Sequence, residues 1–282
     1  MLTKNNDMCK IVNYNRGVEI VKWNVDKYEE TCGRVTEHGN KLVDILRDFQ
    51  FKKVLDIGCG TGVLANEINK FATEVIGIDQ SVEMIEKAKT LYPKLNFMVM
   101  DACSLQWNDY FDLVFSNAVF HFIKSQNELL ENIYKVLIEN GLLVCEFGAF
   151  GNIDNLLKVI EKICMEKGKP YSLRFYYPSE DEYKNLLNIN NFSIKSIEVY
   201  DLDTQLKEGK NGLRNWVNQI FDIEMNWFNV SEREDVLNKI EETLKITQWD
   251  GTNWHLANKR LRVIAQKNKD CELESCTSHN KR

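Results

Sequence analysis

The fold is decided by a short run near the start of the chain, Val54-Leu55-Asp56-Ile57-Gly58-Cys59-Gly60-Thr61-Gly62. Its first four residues are typical of a strand buried on both faces, and its alternate glycines allow positive φ angles and a close approach of the backbone to a ligand. The residues from Gly62 to Lys70 then have helical spacing. A strand, a glycine-rich turn and a helix in this order predict a ligand site at the carboxyl end of the strand.

The spacing of these glycines separates two kinds of ligand. A dinucleotide fingerprint needs G-x-G-x-x-G, but the sixth position counted from Gly58 is Val63, and the third glycine comes one residue early at Gly62. Asp56, just before the turn, would repel a pyrophosphate, whereas it attracts the ammonium of a methionyl group. The run therefore favours an adenosyl ligand joined to an amino acid over NAD.

Around this run, short apolar stretches alternate with amphipathic ones, which predicts an α/β fold with a mostly parallel, Rossmann-like sheet and helices on both faces. The predicted strands are Val54–Ile57, Glu74–Ile78, Asn96–Met100, Phe111–Ser116, Gly141–Phe147, Phe192–Tyr200 and Leu261–Ala265. The predicted helical segments are Gly62–Lys70, Ser81–Thr90, Gln126–Ile138, Asn152–Lys167, Glu180–Asn188 and an aromatic-rich insert at Asp203–Gln248.

These patterns divide the chain into four parts. Residues 1–50 are expected to form a helical cap over the ligand, and residues 51–150 the ligand-binding core. Residues 151–266 are expected to complete the core with two strands and to add a helical substrate lid. Residues 267–282 are polar, and we expect a disordered tail there.

Composition and charge exclude several classes of protein. The chain has 36 basic and 42 acidic residues, a net charge of -6, and mixes both signs, which argues against nucleic-acid binding. It contains no run of roughly 18 apolar residues, and its first residues are polar, so we expect a cytoplasmic protein without membrane contact. The eight cysteines are far apart and lack metal-ligand spacing, so we expect reduced thiols and no metal.

Acidic residues stand at the ends of three successive predicted strands, where open α/β sheets bind their ligands. Asp79 can accept hydrogen bonds from both hydroxyls of a ribose, as in either an adenosyl cofactor or NAD. Asp101 can accept one from an adenine amino group while the flanking backbone and Met84 or Val82 enclose the ring. Each acid alone also fits a turn residue or a helix cap. Together with Asp56 beside the glycine turn, they indicate a nucleoside site.

The same motifs identify a resemblance to a known family. Asp56–Gly62, Gly77-Ile78-Asp79, Asp101-Ala102 and Phe111–Asn117 resemble the class I S-adenosylmethionine-dependent methyltransferases over about Phe51 to Phe150. Trp23-Asn24 with Tyr28, and the run Asn117–Phe122, resemble the trans-aconitate methyltransferase group and its small-molecule relatives. The resemblance implies S-adenosylmethionine as the cofactor and a seven-stranded sheet whose last strand runs antiparallel.

The resemblance also implies roles for individual residues. It places the methionyl group at the glycine turn after the first strand, the ribose at the end of the second strand and the adenine at the end of the third. The sulfonium side lies at the end of the fourth strand. The residues concerned are Gly58, Cys59, Gly60 and Gly62; Asp79 and Gln80; Asp101 and Ala102; and Asn117 and Ala118.

Methyl transfer requires alignment of the acceptor with the methyl group, and a base is optional. His121 is the candidate catalytic residue, either as a base or as a group that shapes the pocket by hydrogen bonding. Trp23 and Tyr28 precede the sheet and either attract the sulfonium with their rings or pack the amino-terminal segment onto the core.

For the acceptor, Trp216 offers an aromatic wall, and an arginine can clamp a carboxylate, although arginines in lids often form surface ion pairs. The candidates are Arg174, Arg214 and Arg260. These features favour O-methylation of a small carboxylate-bearing metabolite by a monomer or homodimer. An acyl-thioester carboxylate, an amine or hydroxyl of a secondary metabolite, and a non-catalytic sensor of the cofactor remain as alternatives. A nucleic-acid acceptor is disfavoured because Asn117–Phe120 lacks the Asn-Pro-Pro-aromatic platform.

Overall fold

The computed structural model describes residues 37–268. Its strands are β1 (Phe51–Ile57), β2 (Ala72–Asp79), β3 (Asn96–Val99), β4 (Phe111–Asn117), β5 (Leu137–Gly148), β6 (Phe192–Gln205) and β7 (His255–Lys267). They form one seven-stranded sheet in the order β3-β2-β1-β4-β5-β7-β6. The neighbours from β3 to β5 pair in parallel, whereas β7 pairs antiparallel with both β5 and β6. The predicted sheet, with its antiparallel last strand, is confirmed.

Helices cover both faces of this sheet. Residues 37–44 form α1. The others are α2 (Val63–Ile68), α3 (Val82–Leu91), α4 (Gln126–Val136), α5 (Asp154–Glu166), α6 (Glu180–Ile189), α7 (Gly212–Ile220), α8 (Asp222–Met225) and α9 (Val230–Gln248). Among residues 37–268, no helix combines the length and the apolarity that crossing a membrane requires.

Several predicted boundaries are wrong because strand pairing extends further than the local pattern shows. The largest difference is in β7, which is predicted from Leu261 but begins at His255, where it pairs with Gln205 of β6. The helix predicted to end at Ile138 stops at Val136, since Leu137 already pairs with Phe111 of β4. The insert predicted from Asp203 begins later, because β6 pairs with β7 as far as Gln205. Lys267, assigned above to the tail, ends β7, and its buried ammonium donates to Asp109 and to the carbonyl of Leu137.

The central strands are apolar on both faces because both faces are covered. Leu55 of β1 belongs to a core that α4 and α6 complete, whereas the adjacent Val54 belongs to a core completed by α1, α2 and α3. β1 lies between β2 and β4, so the chain reverses its direction of travel across the sheet at this point. Such a reversal leaves a crevice outside the carboxyl ends of the two central strands.

The helices of the late insert have a core of their own. Apolar side chains of α5, α7, α8 and α9 meet there with the start of β7, and the buried members include Leu156, Leu213, Phe221, Met225, Leu237, Ile240 and Trp254. α9 begins with a capping box in which Asn229 and Glu232 exchange hydrogen bonds between side chain and backbone. This part of the chain is therefore a packed helical layer rather than a loose loop.

Candidate functional site

The glycine turn after β1 is anchored to the neighbouring strand. The backbone N–H groups of Gly58 and Cys59 both donate to the carbonyl of Ile78, at 2.7 and 2.9 Å. Oδ2 of Asp79 accepts from the N–H of Gly60 at 3.0 Å. These bonds fix the turn at the carboxyl ends of β1 and β2.

The three glycines of the turn have left-handed φ angles, but they differ in what surrounds them. A Cβ on Gly58 would lie 2.2 Å from Val119, and one on Gly62 would lie 2.6 Å from Phe97. A Cβ on Gly60 would meet none of the described atoms within 4 Å. Gly58 and Gly62 are therefore required by packing, whereas Gly60 exposes bare backbone to the crevice, as close approach of a ligand requires.

Asp56 is a buried acid, 2% exposed, beside this turn. Burial, and then the neighbouring carboxylate of Asp79, raise the pKa of Asp56 to about 8. Its Oδ2 is enclosed without a hydrogen-bond partner among the described residues. A buried, unpaired carboxyl oxygen is costly unless a donor reaches it, and the ammonium of the methionyl group of S-adenosylmethionine has the required chemistry.

Asp79 ends β2 and joins two elements. Besides holding Gly60, it accepts from the N–H of Ser81 through Oδ1 at 2.9 Å, at the start of α3. Burial raises the pKa of Asp79, and the backbone donors from Ser81 and Gly60 oppose that shift. Each carboxylate oxygen has a second lone pair, so the side chain can still accept from ribose hydroxyls.

The residues expected around the adenine lie along the next two loops. Asp101 caps a short 3₁₀ turn at Ala102–Ser104 by accepting from the N–H of Cys103 at 2.9 Å. Ala102 and Met84 are buried, and Gln80 is half-buried. Cys59 is buried as well, and burial raises the pKa of its thiol, which favours a space-filling role over a nucleophilic one.

The end of β4 brings a strained residue to the same crevice. Ala118 has a φ of 60°, a conformation that residues with a side chain rarely adopt, and its N–H donates to the carbonyl of Glu146 at 2.7 Å. The preceding Asn117 contacts α1, since a Cβ added to Gly39 would lie 2.9 Å from its Nδ2. Strain of this kind is typical of functional sites.

His121 lies in a 3₁₀ turn just beyond, and its ring is 8% exposed. Its Nδ1 accepts from the backbone N–H of Gly148 at 3.3 Å. Burial, and then the positive charge of Arg260, hold the pKa of His121 well below 6.5. The ring is therefore neutral at physiological pH, which favours the pocket-shaping role over the base.

Arg260 is half-buried on β7, where it pairs with Gly148 of β5 and Tyr200 of β6. Burial lowers the pKa of Arg260, and Glu146 opposes that shift. The Glu146 carboxylate is already bound at 2.7 Å by Nε of the next arginine on that face, Arg262. Among residues 37–268, the guanidinium of Arg260 has neither a hydrogen bond nor an ion pair, although its backbone is paired in the sheet.

The other two candidate arginines are engaged by neighbouring groups. Arg174 donates to Glu224 at 3.0 Å and to the carbonyl of Ile220 inside the insert. Arg214 binds both carboxylate oxygens of Glu241 on α9, each at 2.9 Å. The structure does not bring these two side chains into the crevice with Arg260. Both stay predictions as acceptor residues.

The aromatic candidates divide in a similar way. Trp216 is half-buried and packs against the core of the insert, with its ring 6.1 Å from that of Phe221. Trp23 and Tyr28 lie outside the described residues.

Sequence reasoning gave no site role to several groups around Arg260. Glu146 is a lone acid in the apolar run of β5, which is a signal that was available. Tyr177 packs so closely on Gly148 that a Cβ there would lie 2.4 Å from its ring. Nε2 of His38 is enclosed without a partner among the described residues, and Arg260 contributes to lowering the pKa of His38 after burial.

The chain resembles known methyltransferases in sequence. A family model described as a methyltransferase domain matches residues 55–145. An uncharacterized methyltransferase of Schizosaccharomyces pombe is 29% identical over 87% of this chain and 98% of its own. A malonyl-[acyl-carrier protein] O-methyltransferase of Ilyobacter polytropus is 27% identical over 76% of this chain and 83% of its own. A trans-aconitate 2-methyltransferase of an Enterobacter species is 24% identical over 58% of this chain and 66% of its own.

A solved structure shares the fold. It is a phosphoethanolamine N-methyltransferase of Haemonchus contortus in complex with S-adenosylhomocysteine, with a TM-score of 0.51 at 18% identity over 86% of this chain and 58% of that one. The observed sheet, the glycine turn beside the buried carboxyl of Asp56 and the matched methyltransferase domain all indicate the same activity. The chain is an S-adenosylmethionine-dependent methyltransferase, and the methyltransferase family model matches it over residues 55–145.

Proposed function

We propose that this methyltransferase transfers the methyl group to a carboxylate oxygen of a small-molecule acceptor. The proposal rests on Arg260. Of the three candidate arginines it alone has no partner among residues 37–268, although it is half-buried at the end of the sheet that carries the glycine turn. A guanidinium kept from water is costly without an anion, and a carboxylate matches its fork of donors.

Two relatives support an acid as the acceptor. The names malonyl-[acyl-carrier protein] and trans-aconitate both denote molecules with a free carboxylate. They differ in size and in whether a carrier protein is attached. The shared chemistry is the carboxylate, which is the group that the environment of Arg260 fits.

The cofactor residues are proposed on the geometry above. Bound S-adenosylmethionine supplies an electrophilic methyl group on a positively charged sulfur. Asp56 and the bare backbone of Gly60 would hold its methionyl group, Asp79 and Gln80 its ribose, and the 3₁₀ turn at Ala102–Ser104 with Asp101 and Met84 its adenine. Asn117 and Ala118 would close the sulfonium side.

A carboxylate acceptor makes few demands on catalysis. Its ordinary pKa lies near 4, so it is ionised at neutral pH and has no proton to lose. The remaining work is to align the oxygen with the methyl group and to exclude water. We propose that the lid that excludes water is the helical layer of α5, α7, α8 and α9, which packs on its own core.

The type of bond formed tests this proposal. Radiolabelled S-adenosylmethionine and the full-length protein are incubated with a metabolite extract, and the products are treated with mild base. Methyl esters release labelled methanol, whereas methylated amines and ethers keep their label. Base-labile label is expected in the low-mass fraction. Label retained by carrier proteins would identify the acyl-thioester alternative, and base-stable label would contradict carboxylate methylation.

A cofactor sensor without catalysis predicts a different outcome, in which the protein binds S-adenosylmethionine by calorimetry but transfers no label to any fraction.

Arg260→Gln should reduce base-labile transfer by at least about tenfold, since a hydrogen-bonded charge pair contributes roughly 1.5–3 kcal/mol. Lys259→Gln is the matched control. Lys259 is adjacent on β7, points to the opposite face and pairs with exposed Asp201, so its loss should leave transfer unchanged.

A further inference from the structure

One ring nitrogen of His121 accepts a hydrogen bond from the backbone. A backbone N–H can only donate, so the bond from Gly148 requires an unprotonated Nδ1. The neutral imidazole then carries its proton on Nε2. Among residues 37–268, Nε2 has no hydrogen-bond partner. The ring therefore offers a hydrogen-bond donor rather than a vacant proton acceptor.

The ring is also held in position on several sides. Its centroid lies 4.4 Å from that of Phe122, 5.8 Å from Tyr177 and 6.3 Å from Phe175. The carbonyl of His121 accepts from the N–H of Tyr176 at 2.8 Å. Rotation of the ring to exchange its two nitrogens would break the bond to Gly148 and displace these neighbours.

The charged groups around His121 come from several elements. Arg260 of β7 is paired across the ladder with Gly148, the residue that donates to the ring. Arg260 in turn faces Glu146 of β5, Tyr177 and His38 of α1. Because Glu146 is occupied by Arg262, the charge left over beside the ring is positive.

We infer that the Nε2–H of His121 and the guanidinium of Arg260 together bind the acceptor carboxylate, with His121 acting as a fixed donor and never as the base. This inference rests on the proposed carboxylate methylation. One carboxylate oxygen is held by the two donors, and a lone pair of the carboxylate displaces the sulfur from the methyl carbon. A C–O bond forms, the C–S bond breaks, the sulfur becomes neutral and no proton moves.

The pair of donors also explains a preference among acceptors. A protonated amine would meet the positive charge of Arg260 and the Nε2–H of His121, and neither group can accept its proton. A neutral hydroxyl needs a base, and His121 does not supply one because its Nδ1 is occupied. The clamp therefore selects ionised oxygen acids over amines and alcohols.

Nuclear magnetic resonance tests the tautomer without any turnover. The full-length protein, labelled with ¹⁵N in its histidines and bound to S-adenosylhomocysteine, is recorded from about pH 5.5 to 8.5, and the His121 signals are assigned by their loss in His121→Gln. An unprotonated Nδ1 and a protonated Nε2 are expected throughout. A ring that titrates in this range, or a proton on Nδ1, would overturn the inference.

Acetate, the smallest convenient carboxylate, tests the clamp in the same sample. At constant ionic strength, acetate should shift the His121 Nε2 signal in a saturable way, whereas acetamide and chloride should not. The shift should disappear in Arg260→Gln and persist in Lys259→Gln. Absence of a saturable shift in the unaltered protein, or its persistence in Arg260→Gln, counts against the clamp.

Kinetics then separate a donor from a base. In the metabolite-extract assay, His121→Gln keeps an N–H donor and should transfer at least about tenfold more label than His121→Leu. The unaltered protein should show no loss of rate as the pH falls from 8 to 6. Equal losses in both variants, with a rate that declines below pH 6.5, would identify a base. Base-stable label together with the expected tautomer would refute the proposed acceptor but leave the fixed donor standing.

Discussion

At the scale of single residues, the two acids of the cofactor crevice are prepared for different tasks. Within residues 37–268, Asp56 has an oxygen without a partner, whereas both oxygens of Asp79 already accept from backbone N–H groups. Asp56 therefore has an oxygen that can accept from a donor on the ligand, whereas Asp79 already holds the turn and the start of α3 in the ligand-free protein. Their substitutions should consequently have different signatures.

Asp79→Asn should weaken the binding of S-adenosylmethionine by about tenfold or more. The amide keeps the shape but loses the charge and one acceptor oxygen, and hydrogen bonds to charged groups contribute roughly 1.5–3 kcal/mol. Calorimetric titration measures the change. Glu83→Gln removes a carboxylate that only accepts from the Ser81 hydroxyl at the same helix start, and it serves as the control. Unchanged affinity of Asp79→Asn would remove the ribose assignment.

Asp56 should make the cofactor-free protein less stable as the pH rises. Its pKa of about 8 in the folded chain is far above the ordinary value near 4, so the folded state holds a proton that the unfolded state releases. Its contribution is complete below pH 4 and is lost as the pH rises through 8, by on the order of 1 kcal/mol per pH unit. Urea unfolding should show a shallower decline between pH 6 and 8 for Asp56→Asn; parallel curves would contradict this.

At the scale of elements, the glycine turn combines a packing requirement with an open surface. Gly58 is covered by the side chain of Val119, which follows β4, whereas Gly60 faces free space among the described residues. One turn thus locks two parallel strands together and still leaves backbone exposed to the cofactor. The two functions can be separated by the same substitution at the two positions.

Gly58→Ala and Gly60→Ala should fail in different ways. Both place a side chain at positive φ, which costs about 1 kcal/mol, but only the first also drives a Cβ into Val119 at 2.2 Å. Gly58→Ala is expected to lower the urea midpoint clearly. Gly60→Ala should stay folded and lose cofactor affinity. Thermal melts and calorimetry on the pair measure this, and equal stability losses with equal affinity would disprove the distinction.

At the scale of the whole molecule, one histidine joins the helical insert to the edge of the sheet. His255, at the start of β7, lies 2.8 Å from Asp203 of β6 through Nδ1 and 3.0 Å from Asp250 through Nε2. Burial by itself lowers the pKa of His255, but the hydrogen bonds to Asp250 and Asp203 outweigh it, so the pKa is raised. The link after α9 is therefore strongest in acid.

This contact should stabilise the fold more at low pH than at high pH, whereas a paired acid stabilises it more at high pH. A raised histidine pKa contributes stability that is complete below about pH 6.5 and is lost as the pH rises through the folded pKa. His255→Gln should lower the urea midpoint at pH 6 and change it little at pH 9. The same loss at both values would show that the contact does not depend on the charge of His255.

Much of the fold was predictable because its determinants are local. The run from Val54 to Gly62 contains a strand pattern, a turn and a helix start within one short segment, and each later strand repeats the apolar pattern. The main errors fell at Leu137, Asp203, His255 and Lys267, where strand pairing with distant residues extended an element beyond its local pattern. Periodicity cannot reveal such extensions, since the partner strand lies far away in the chain.

The sequence by itself determined the class of sheet, the glycine turn and the acids at three strand ends, because these depend on residue type and spacing along one segment. Only the tertiary structure decided which candidate arginine lacks a side-chain partner in the described part of the chain and which nitrogen of His121 is occupied. The first follows from the position of β7, which runs antiparallel between β5 and β6 and places Arg260 opposite Gly148. The second follows from the end of β5, where the N–H of Gly148 reaches the ring. Ladder register between distant segments is set by packing of the whole sheet, which no local pattern encodes.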